Sequence, residues 1–421
     1  MTTASKTWLA EERKDVAFKG IAFLISPVLG LLAALPRLNT RSSFLVFLLS
    51  MTLFGLTMIV PSDRSEQQNF DCIEYRMRFE KAVSFDTNDM SAFLRDYADN
   101  EGSTDIYDRL LCFLVTRFSS NYHVFFMVVA FIYTVFMLKS LRYLVSDANY
   151  RFSALCLCLL FLFTVSQVYM ASVVRFFTAF WIALYALFRV FVDHRKEALL
   201  WLVLTPFIHA SFVILWVVLA IYWIVRGRNR GAVILIIAGI LFSAVALQLF
   251  ALLLPWIPGN IGEHYSEYLD QWYVQYINES GTGYKWVVRL MELAVRLSVN
   301  GMVLYMAWHY KERIAGTSGR NVYFLLCAFL IFVNFTFMVP AVGSRYVMFL
   351  FPLIAYVWLV CFSGNRFFDG VLYAFAGLYL FYFFVLPWNI YLLPCLRSYA
   401  ALWNADILCM SPLYLLPHYL F

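Results

Sequence analysis

The sequence predicts an all-α membrane protein whose chain enters the bilayer many times. Of its 421 residues, 62% are hydrophobic and only 14% are charged, whereas soluble domains average about 45–50% apolar and about 25% charged residues. Apolar stretches of about 17–25 residues, each long enough to cross the hydrocarbon core, recur along most of the chain. They are continuously apolar, which excludes the alternating pattern of a transmembrane barrel. We therefore predict one polytopic domain, residues 1–421, with about 11–13 transmembrane or re-entrant helices.

The apolar stretches divide the chain into candidate spans and polar connections. Two long polar segments, 61–121 and 255–285, interrupt the series, and a semi-apolar tail follows at 387–421. The first span is short and is interrupted by Pro27 and Gly30. The candidate spans are Ile21–Leu35, Phe44–Val60, Tyr122–Leu138, Phe152–Tyr169, Phe176–Val192, Ala198–Val225, Ala232–Leu254, Trp286–His309, Val322–Val339, Tyr346–Phe362 and Phe368–Leu386.

Basic clusters between the spans set the predicted orientation, because short cytoplasmic loops carry an excess of Lys and Arg. Both loops that flank the run Ala198–Val225 are basic, so a single crossing would place one of them on the wrong side. Pro206 and His209 lie near the centre of this run, and a proline can break a helix. We therefore predict a re-entrant pair of short helices with His209 near the bend. The alternative is one kinked, tilted helix.

The same count of spans places both long polar segments on the outer face. It also places Arg175 and Arg345 at or just within the outer boundary of the membrane. The N-terminus is counted to the outer side as well, although the stretch from Lys6 to Lys19 is rich in basic residues. Either this tail crosses the membrane or Ile21–Leu35 does not span it, and the sequence leaves both interpretations open.

Charged residues within predicted spans are the first functional candidates, because a charge in hydrocarbon is costly and needs a partner or a cavity. In the span Trp286–His309, four polar residues recur at intervals of three and four, which places them on one helix face. They are Arg289, Glu292, Arg296 and Asn300. Arg296 lies about 15 Å below the start of this helix, close to mid-depth. The alternative to a substrate site is structural, with Glu292 pairing with both arginines.

Two further arginines and a histidine lie toward the outer face on this topology. Arg175 and Arg345 each begin an apolar run after a very short turn, and His209 lies at the predicted bend. Several fixed guanidinium groups at one depth suit a phosphate or diphosphate, because Arg is always protonated and donates to oxyanions bidentately. The alternatives are arginines that extend to the interface for solvation and a hydrogen-bonded core histidine.

The outer polar segments combine carboxylates with aromatic side chains, as sugar-binding surfaces do. The aromatic belt of a membrane interface would explain many of the same Tyr and Trp residues. The net charge of +6 reflects the basic loops and does not indicate nucleic-acid binding. No spacing typical of a metal or nucleotide site occurs, so we predict neither a metal nor a cofactor. The candidates for sugar contacts are Asp71, Tyr75, Asp105 and Glu267.

Several short motifs occur together in a recognisable order. In chain order they are Asp71-x3-Tyr75-x3-Phe79, Asp105-Ile106-Tyr107-Asp108, Asn121-Tyr122-His123, Arg175 at the start of a span, Phe207-Ile208-His209-Ala210-Ser211 and Arg345-Tyr346. This order resembles the EpsG/Wzy group of bacterial polysaccharide polymerases over roughly residues 40–365. One element departs from the group, which often has a Glu-Pro-Gly-Phe-like element where this chain has Asp105 to Asp108.

The resemblance implies a GT-C-like membrane glycosyltransferase that polymerises O-antigen or another surface polysaccharide. The growing glycan would leave one undecaprenyl diphosphate and join the non-reducing end of a new lipid-linked repeat unit. The reaction would take place at the periplasmic face of the bacterial inner membrane. The implied partners are the lipid-linked oligosaccharide, the bilayer and a chain-length regulator protein.

The residues fit roles in such a reaction. Arginines can stabilise the charge of a leaving diphosphate without a metal, and we assign catalytic roles of this kind to Arg175 and Arg345. His209 is the leading candidate for the base that takes the acceptor's hydroxyl proton, with Asp71 or Glu267 as the alternative. We predict substrate binding, to the diphosphate or to sugars, for Arg289, Arg296, Glu292, Asp71, Tyr75, Asp105 and Glu267.

Three other functions are compatible with parts of the sequence. An O-antigen ligase uses the same donor, so the donor-site residues do not separate it from a polymerase. A flippase for lipid-linked oligosaccharide should have broken helices at matching places in two halves, and the chain has one such element, Ala198–Val225. A membrane acyltransferase would also use a membrane histidine, but no acidic residue lies beside His209 in the sequence.

Overall fold

The computed structural model of the chain consists of helices joined by turns, and no other regular element occurs among the residues it describes. These residues are 8–62, 71–84, 105–145, 174–253, 285–339, 342–362 and 406–420, with isolated positions between 91 and 97 and between 366 and 374. The principal helices are α1 (Arg13–Ile25), α2 (Pro27–Ala34), α3 (Arg41–Leu56), α4 (Asp71–Ser84), α5 (Tyr107–Thr116), α6 (Tyr122–Val145), α7 (Val174–Phe191), α8 (Leu199–Ile208), α9 (Ile214–Val225), α10 (Asn229–Leu241), α11 (Ser243–Leu253), α12 (Lys285–Trp308), α13 (Arg320–Phe335), α14 (Leu350–Cys361) and α15 (Pro412–Leu420).

Many of these helices are apolar, as predicted. Among the described residues, α6 and α7 are long and apolar enough to cross a membrane as single elements, and seven further apolar helices have 10–17 residues. Six predicted spans overlap α3, α6, α7, α12, α13 and α14, while the predicted span Ala232–Leu254 is divided at Phe242 into α10 and α11. The predicted spans Phe152–Tyr169 and Phe368–Leu386 lie outside the described residues, apart from isolated positions in the second.

Helices α7 and α13 form the centre of the described bundle. Fourteen of the 18 residues of α7 are buried, and in α13 the run from Val322 to Asn334 is buried without interruption. A helix that is apolar on all sides needs neighbours on all sides, and α7 packs against α6 and α8 while α13 packs against α9, α10 and α14. The ring of Phe349 packs between the two helices. Its centre lies 4.5 Å from the centre of the Phe180 ring of α7 and 4.8 Å from that of the Phe329 ring of α13.

Two buried amides join α12 to α13. The Nδ2 of Asn334 donates to the Oδ1 of Asn300 at 2.7 Å, and the Nδ2 of Asn300 donates in return at 3.1 Å. On α10, a Cβ added to Gly239 would lie 3.1 Å from the carbonyl oxygen of Ile331. Small residues and interhelical hydrogen bonds are the interactions that hold helices together in a membrane. Asn300, predicted on the polar face of α12, is therefore a packing residue.

The two ends of α6 and α7 differ in charge. Both helices finish where Arg142 and Arg189 lie, and there the hydroxyl of Tyr143 donates to the carboxylate of Asp193. We call this end of the bundle the basic end. The opposite end, where α6 and α7 begin, we call the site end.

The run Ala198–Val225 turns back at His209, as the basic loops predict. Helix α8 ends at Ile208, His209 is extended with φ −153° and ψ 114°, and α9 follows after a 3-10 turn. The ring of Tyr222, near the end of α9, contacts the ring of Phe191 at 4.7 Å. Phe191 is the last residue of α7, so both ends of the run lie at the basic end and its bend lies at the site end.

The N-terminal run differs from the prediction. Ile21–Leu35 is not one span, because the helix is interrupted at Ser26, whose backbone is extended. The helices on either side lie close together, since a Cβ added to Gly30 of α2 would lie 2.8 Å from the Cα of Phe23 in α1. The two short helices therefore fold against each other. The Cζ of Arg142 lies 3.6 Å from the centre of the Trp8 ring, which places the tail at the basic end. Of the two interpretations that the sequence leaves open, the structure supports the one in which Ile21–Leu35 does not span the membrane, since this run is a hairpin.

A buried ion pair fastens the N-terminal tail to the start of α3. The ammonium of Lys19, which is 3% exposed, donates to Glu11 at 2.5 Å, to Thr40 at 3.2 Å and to Ser42 at 3.1 Å. Burial by itself would raise the pKa of Glu11, but its hydrogen bonds with Lys19, Ser42 and Thr40 lower it to about 2. The carboxylate therefore stays ionised at neutral pH, and the pair depends on both partners.

We expect Lys19→Met to destabilise the protein by about 3 kcal/mol or more, because it leaves the Glu11 carboxylate buried without its cation. Adding Glu11→Gln should restore much of the loss, since no charge then remains. The thermal unfolding midpoint of the purified protein in detergent measures both effects. Lys14→Met, which breaks a surface pair with Glu12, is the control and should change stability by less than about 0.5 kcal/mol. Equal midpoints for the two Lys→Met variants would contradict the prediction.

Candidate active site

The candidate site is built around the helix break at His209. Pro206 has no N–H, so the carbonyl of Leu202 loses its helical donor, and the hydroxyl of Thr205 donates to it instead at 2.8 Å. Side chains that satisfy freed backbone groups are what permit a broken helix in a membrane. The N–H of His209 still donates to the carbonyl of Thr205 at 3.0 Å, so the break is confined to one residue.

The imidazole of His209 caps the turn that follows it. Its Nδ1 accepts a hydrogen bond from the N–H of Ser211 at 3.3 Å and lies 2.8 Å from the Oγ of the same residue. A nitrogen that accepts an N–H carries no proton, so in the neutral imidazole the proton lies on Nε2. The break therefore fixes the tautomer of His209 and makes Nε2–H a hydrogen-bond donor.

Asp105 joins the outer polar segment to this break. Its Oδ1 accepts the N–H of Ala210 at 2.7 Å, and the N–H of the next residue, Ile106, donates to the carbonyl of Phe207 at 3.0 Å. Its Oδ2 accepts from the guanidinium of Arg175 at 2.8 Å. The side chain of Asp105 is almost fully buried, with 2% of the residue exposed. One carboxylate thus contacts the break and the first turn of α7.

Arg175 has a second fixed contact on α4. Its Nε donates to the hydroxyl of Tyr75 at 3.1 Å, and burial raises the pKa of Tyr75 to about 12. Burial also raises the pKa of Asp105, whereas the charge of Arg175 and the N–H of Ala210 oppose that rise. The Arg175 side chain keeps 23% of its surface exposed. Its charge is therefore largely balanced by Asp105, but part of the guanidinium faces outward.

A second ion pair, between Arg78 and Asp108, holds the same segment in place. Arg78 of α4 donates to the carboxylates of Glu74 and Asp108, and Asp108 is fully buried. Because Asp108 lies in the first turn of α5, three residues after Asp105, the pair holds α4 against the segment that reaches the break. Sequence analysis noted Asp108 within a motif but gave no role to Arg78.

Tyr346 and Phe176 fix the other side of the break. The hydroxyl of Tyr346, which is 1% exposed, donates to the carbonyl of Ser211 at 2.6 Å. The ring of Phe176 meets the His209 imidazole edge-on at 5.5 Å, and the Cζ of Arg345 lies 5.9 Å from the same ring. His209 and Arg345 therefore both lie beside the Phe176 ring, while Arg175 reaches the same break through Asp105. Sequence analysis missed Phe176, whose position directly after Arg175 was the available signal.

Arg296 lies deeper in the bundle but adjoins the same end. Its Cζ lies 3.8 Å from the centre of the Phe337 ring, just after α13. The backbone of Phe337 packs on Gly343, where an added Cβ would lie 2.9 Å from the Cα of Phe337, and Arg345 follows two residues later. The Nη2 of Arg296 is buried and has no hydrogen-bond partner among the described residues. A buried cationic donor of this kind suits an anionic ligand.

The structure places the other predicted site residues less closely. Asp71 is exposed at the first residue of α4, so it is open to solvent. Arg289 and Glu292 lie on α12, but their side chains are outside the described part of the chain, as is the whole of Glu267. Within the described residues no group of three or more His, Cys, Asp and Glu side chains could hold a metal ion.

Fold and site together define a helical protein with apolar membrane-type helices and a cluster of arginines with a histidine at one end of the bundle. The family model for the EpsG family matches residues 35–396, and the chain belongs to this family. No curated protein and no solved structure matches it. Family membership and the apolar helices indicate a membrane protein of the polysaccharide-polymerase type.

Arg296 offers a test of whether the cluster is built for a ligand. We expect Arg296→Met to leave the thermal midpoint unchanged or to raise it, because it removes a buried donor whose unsatisfied state costs about 1–3 kcal/mol, while polymer formation should fall. Both quantities are measured on purified protein in detergent. Arg230→Met, an exposed arginine of the basic end, is the control for the loss of a charge. A midpoint clearly below that of the control would mean that Arg296 stabilises the fold.

Proposed function

We propose that this protein is a polysaccharide polymerase of the bacterial inner membrane with its active site at the periplasmic face. It transfers a growing glycan from undecaprenyl diphosphate to the non-reducing end of a lipid-linked repeat unit. The observation that carries the proposal is the convergence of Arg175 and the His209 turn on Asp105, with Arg345 beside the same Phe176 ring as His209 and Arg296 packed on Phe337 at the same end of the bundle. Membership of the EpsG family supports the same reaction class.

The reaction needs a site that stabilises a departing diphosphate. The bond between the anomeric carbon and the diphosphate oxygen breaks, the acceptor hydroxyl oxygen bonds to that carbon, and the hydroxyl proton passes to a base. Negative charge therefore builds on the diphosphate, and fixed guanidinium groups in a water-poor site stabilise it without a metal. The polyprenyl tails stay in the lipid beside the helical bundle, so the lipid-linked substrates reach the site laterally.

The contacts divide the work among the arginines unequally. Arg175 is held by Asp105 and Tyr75, so it contributes orientation and a partly balanced charge. Arg296, stacked on Phe337 and with a buried Nη2, is the stronger candidate for a full charge on the diphosphate, together with Arg345. Arg289, which the sequence spacing predicts on the same face of α12, stays a predicted contact for the same diphosphate.

The cap at His209 supports a role other than the one predicted from sequence. Because Nδ1 accepts the N–H of Ser211, Nε2–H donates, and a donor beside the arginines stabilises the leaving oxyanion. The base is then a carboxylate of the outer segments. Asp71, exposed at the start of α4, and Glu267 are the two candidates, and the same segments hold the sugars.

The proposal predicts that cells deleted for the gene carry single repeat units on the lipid core in place of a polymer ladder. Complementation with Arg175→Ala or Arg345→Ala should reduce the ladder by about 100-fold, as for other lost oxyanion donors, while Arg228→Ala at the basic end should restore it. The measurement is a gel of surface polysaccharide at matched protein levels. Loss of even the single unit would instead indicate a ligase or a flippase, and a full ladder from both site variants would make these arginines structural.

A pair of substitutions distinguishes a donor from a base at His209. The side-chain amide of His209→Gln can donate near the position of Nε2 but cannot act as a base, whereas His209→Ala does neither. We expect His209→Gln to retain a measurable part of the polymerase rate and His209→Ala to retain much less. The rate of ladder formation by purified protein measures this, with folding checked by the thermal midpoint. Equal inactivity of two well-folded variants would support the base assigned from sequence.

A further inference from the structure

We propose that Asp105 is a positioning residue, which orients Arg175 and the His209 turn for catalysis and does not itself bind the glycan. The inference rests on the proposed function and adds a role that differs from the sugar contact expected from sequence. It is carried by two contacts of one buried carboxylate. Oδ2 accepts from Arg175 at 2.8 Å and Oδ1 accepts from Ala210 at 2.7 Å.

Burial excludes the expected role. Asp105 is 2% exposed and both of its oxygens are already engaged, so a sugar hydroxyl would have to displace either a guanidinium or a backbone N–H. Tyr75 is equally buried and is held by Arg175. These two residues therefore form the support of the site, on the side away from solvent.

The contact with Ala210 acts on His209 through the backbone. Ala210 is the first residue of the turn that the His209 imidazole caps, and its N–H has no helical partner on its own side of the break. With Asp105 in place, the peptide between His209 and Ala210 has one orientation. The parallel bond from Ile106 to Phe207 fixes the residues before the break, so the outer segment holds both sides of His209.

The contact with Arg175 acts through charge and direction. A guanidinium beside a carboxylate is held in one plane, and its net field at the diphosphate is reduced by the neighbouring negative charge. Removing the carboxylate would therefore strengthen the attraction of Arg175 for an anionic substrate while loosening its position. If Asp105 instead bound a sugar, removing its carboxylate would have the opposite effect and would weaken substrate binding.

This contrast gives the test. In purified full-length protein supplied with undecaprenyl-diphosphate repeat units extracted from the deletion strain, Asp105→Ala should lower kcat by about 10–100-fold without raising KM. Asp105→Asn should retain more activity, because its amide oxygen still accepts the Ala210 N–H. Combining Asp105→Ala with Arg175→Ala should cost little more than Arg175→Ala alone, since the first acts partly through the second.

Asp193→Asn is the control, as this carboxylate also accepts hydrogen bonds, from Tyr143 and Arg189, but lies at the basic end of the bundle. It should lower the thermal midpoint and leave kcat of the folded protein nearly unchanged. A raised KM with unchanged kcat in Asp105→Ala would overturn the inference in favour of a sugar ligand, and equal kcat losses in the two Asn variants would reduce Asp105 to a structural residue. If wild-type protein forms no polymer, the proposed function fails instead.

Discussion

A helix that is broken within a membrane leaves backbone groups that lipid cannot satisfy, and this constraint organises the rest of the structure around His209. Several of the backbone groups at this break are met by a residue distant in the chain or by a neighbouring side chain. The donors and acceptors that do so are the Thr205 hydroxyl, the Ile106 N–H, the Asp105 carboxylate, the His209 imidazole and the Tyr346 hydroxyl. Three separate segments must therefore converge on one point, and the residues that accompany them, Arg175 and Arg345, are brought together by the same requirement.

Charge is distributed over the site in two layers. At the site end, Arg175 and Arg78 are each paired with a buried carboxylate, Asp105 and Asp108, so the charges of this layer are largely balanced. Deeper in the bundle, Arg296 packs on an aromatic ring and has no carboxylate among its described contacts. Among the described residues the buried Nη2 of Arg296 therefore keeps a donor that an anionic ligand would satisfy.

The sequence was informative wherever long apolar runs or a proline controlled the structure. Composition alone predicted a helical membrane protein, and the conflict between two basic loops predicted the turn at His209, which Pro206 makes possible. The hairpin at Ser26 was missed because its residues are as apolar as a span, and only the close approach of Gly30 to Phe23 separates the two cases. Arg175, Asp105 and the turn after His209 do lie together in the structure, but the roles assigned to them stay predictions, and their burial was not visible in the sequence. Asp105 and Tyr75 therefore looked like surface ligands, although tertiary contacts place both of them beneath Arg175.

The positions of these groups also suit the two substrates of the proposed reaction, a lipid-linked donor and a polar acceptor sugar. A lipid-linked donor carries its diphosphate next to a polyprenyl tail, so the diphosphate enters at membrane depth, where Arg296 and Arg345 adjoin. The acceptor sugar is fully polar and approaches from the aqueous side, where Asp71 is exposed. In the proposed reaction, an imidazole that donates from Nε2 would stabilise the leaving oxygen, while a carboxylate exposed to water would take the proton. The broken helix would then carry the group that acts on the leaving oxygen, and α4 would carry a candidate for the group that acts on the nucleophile.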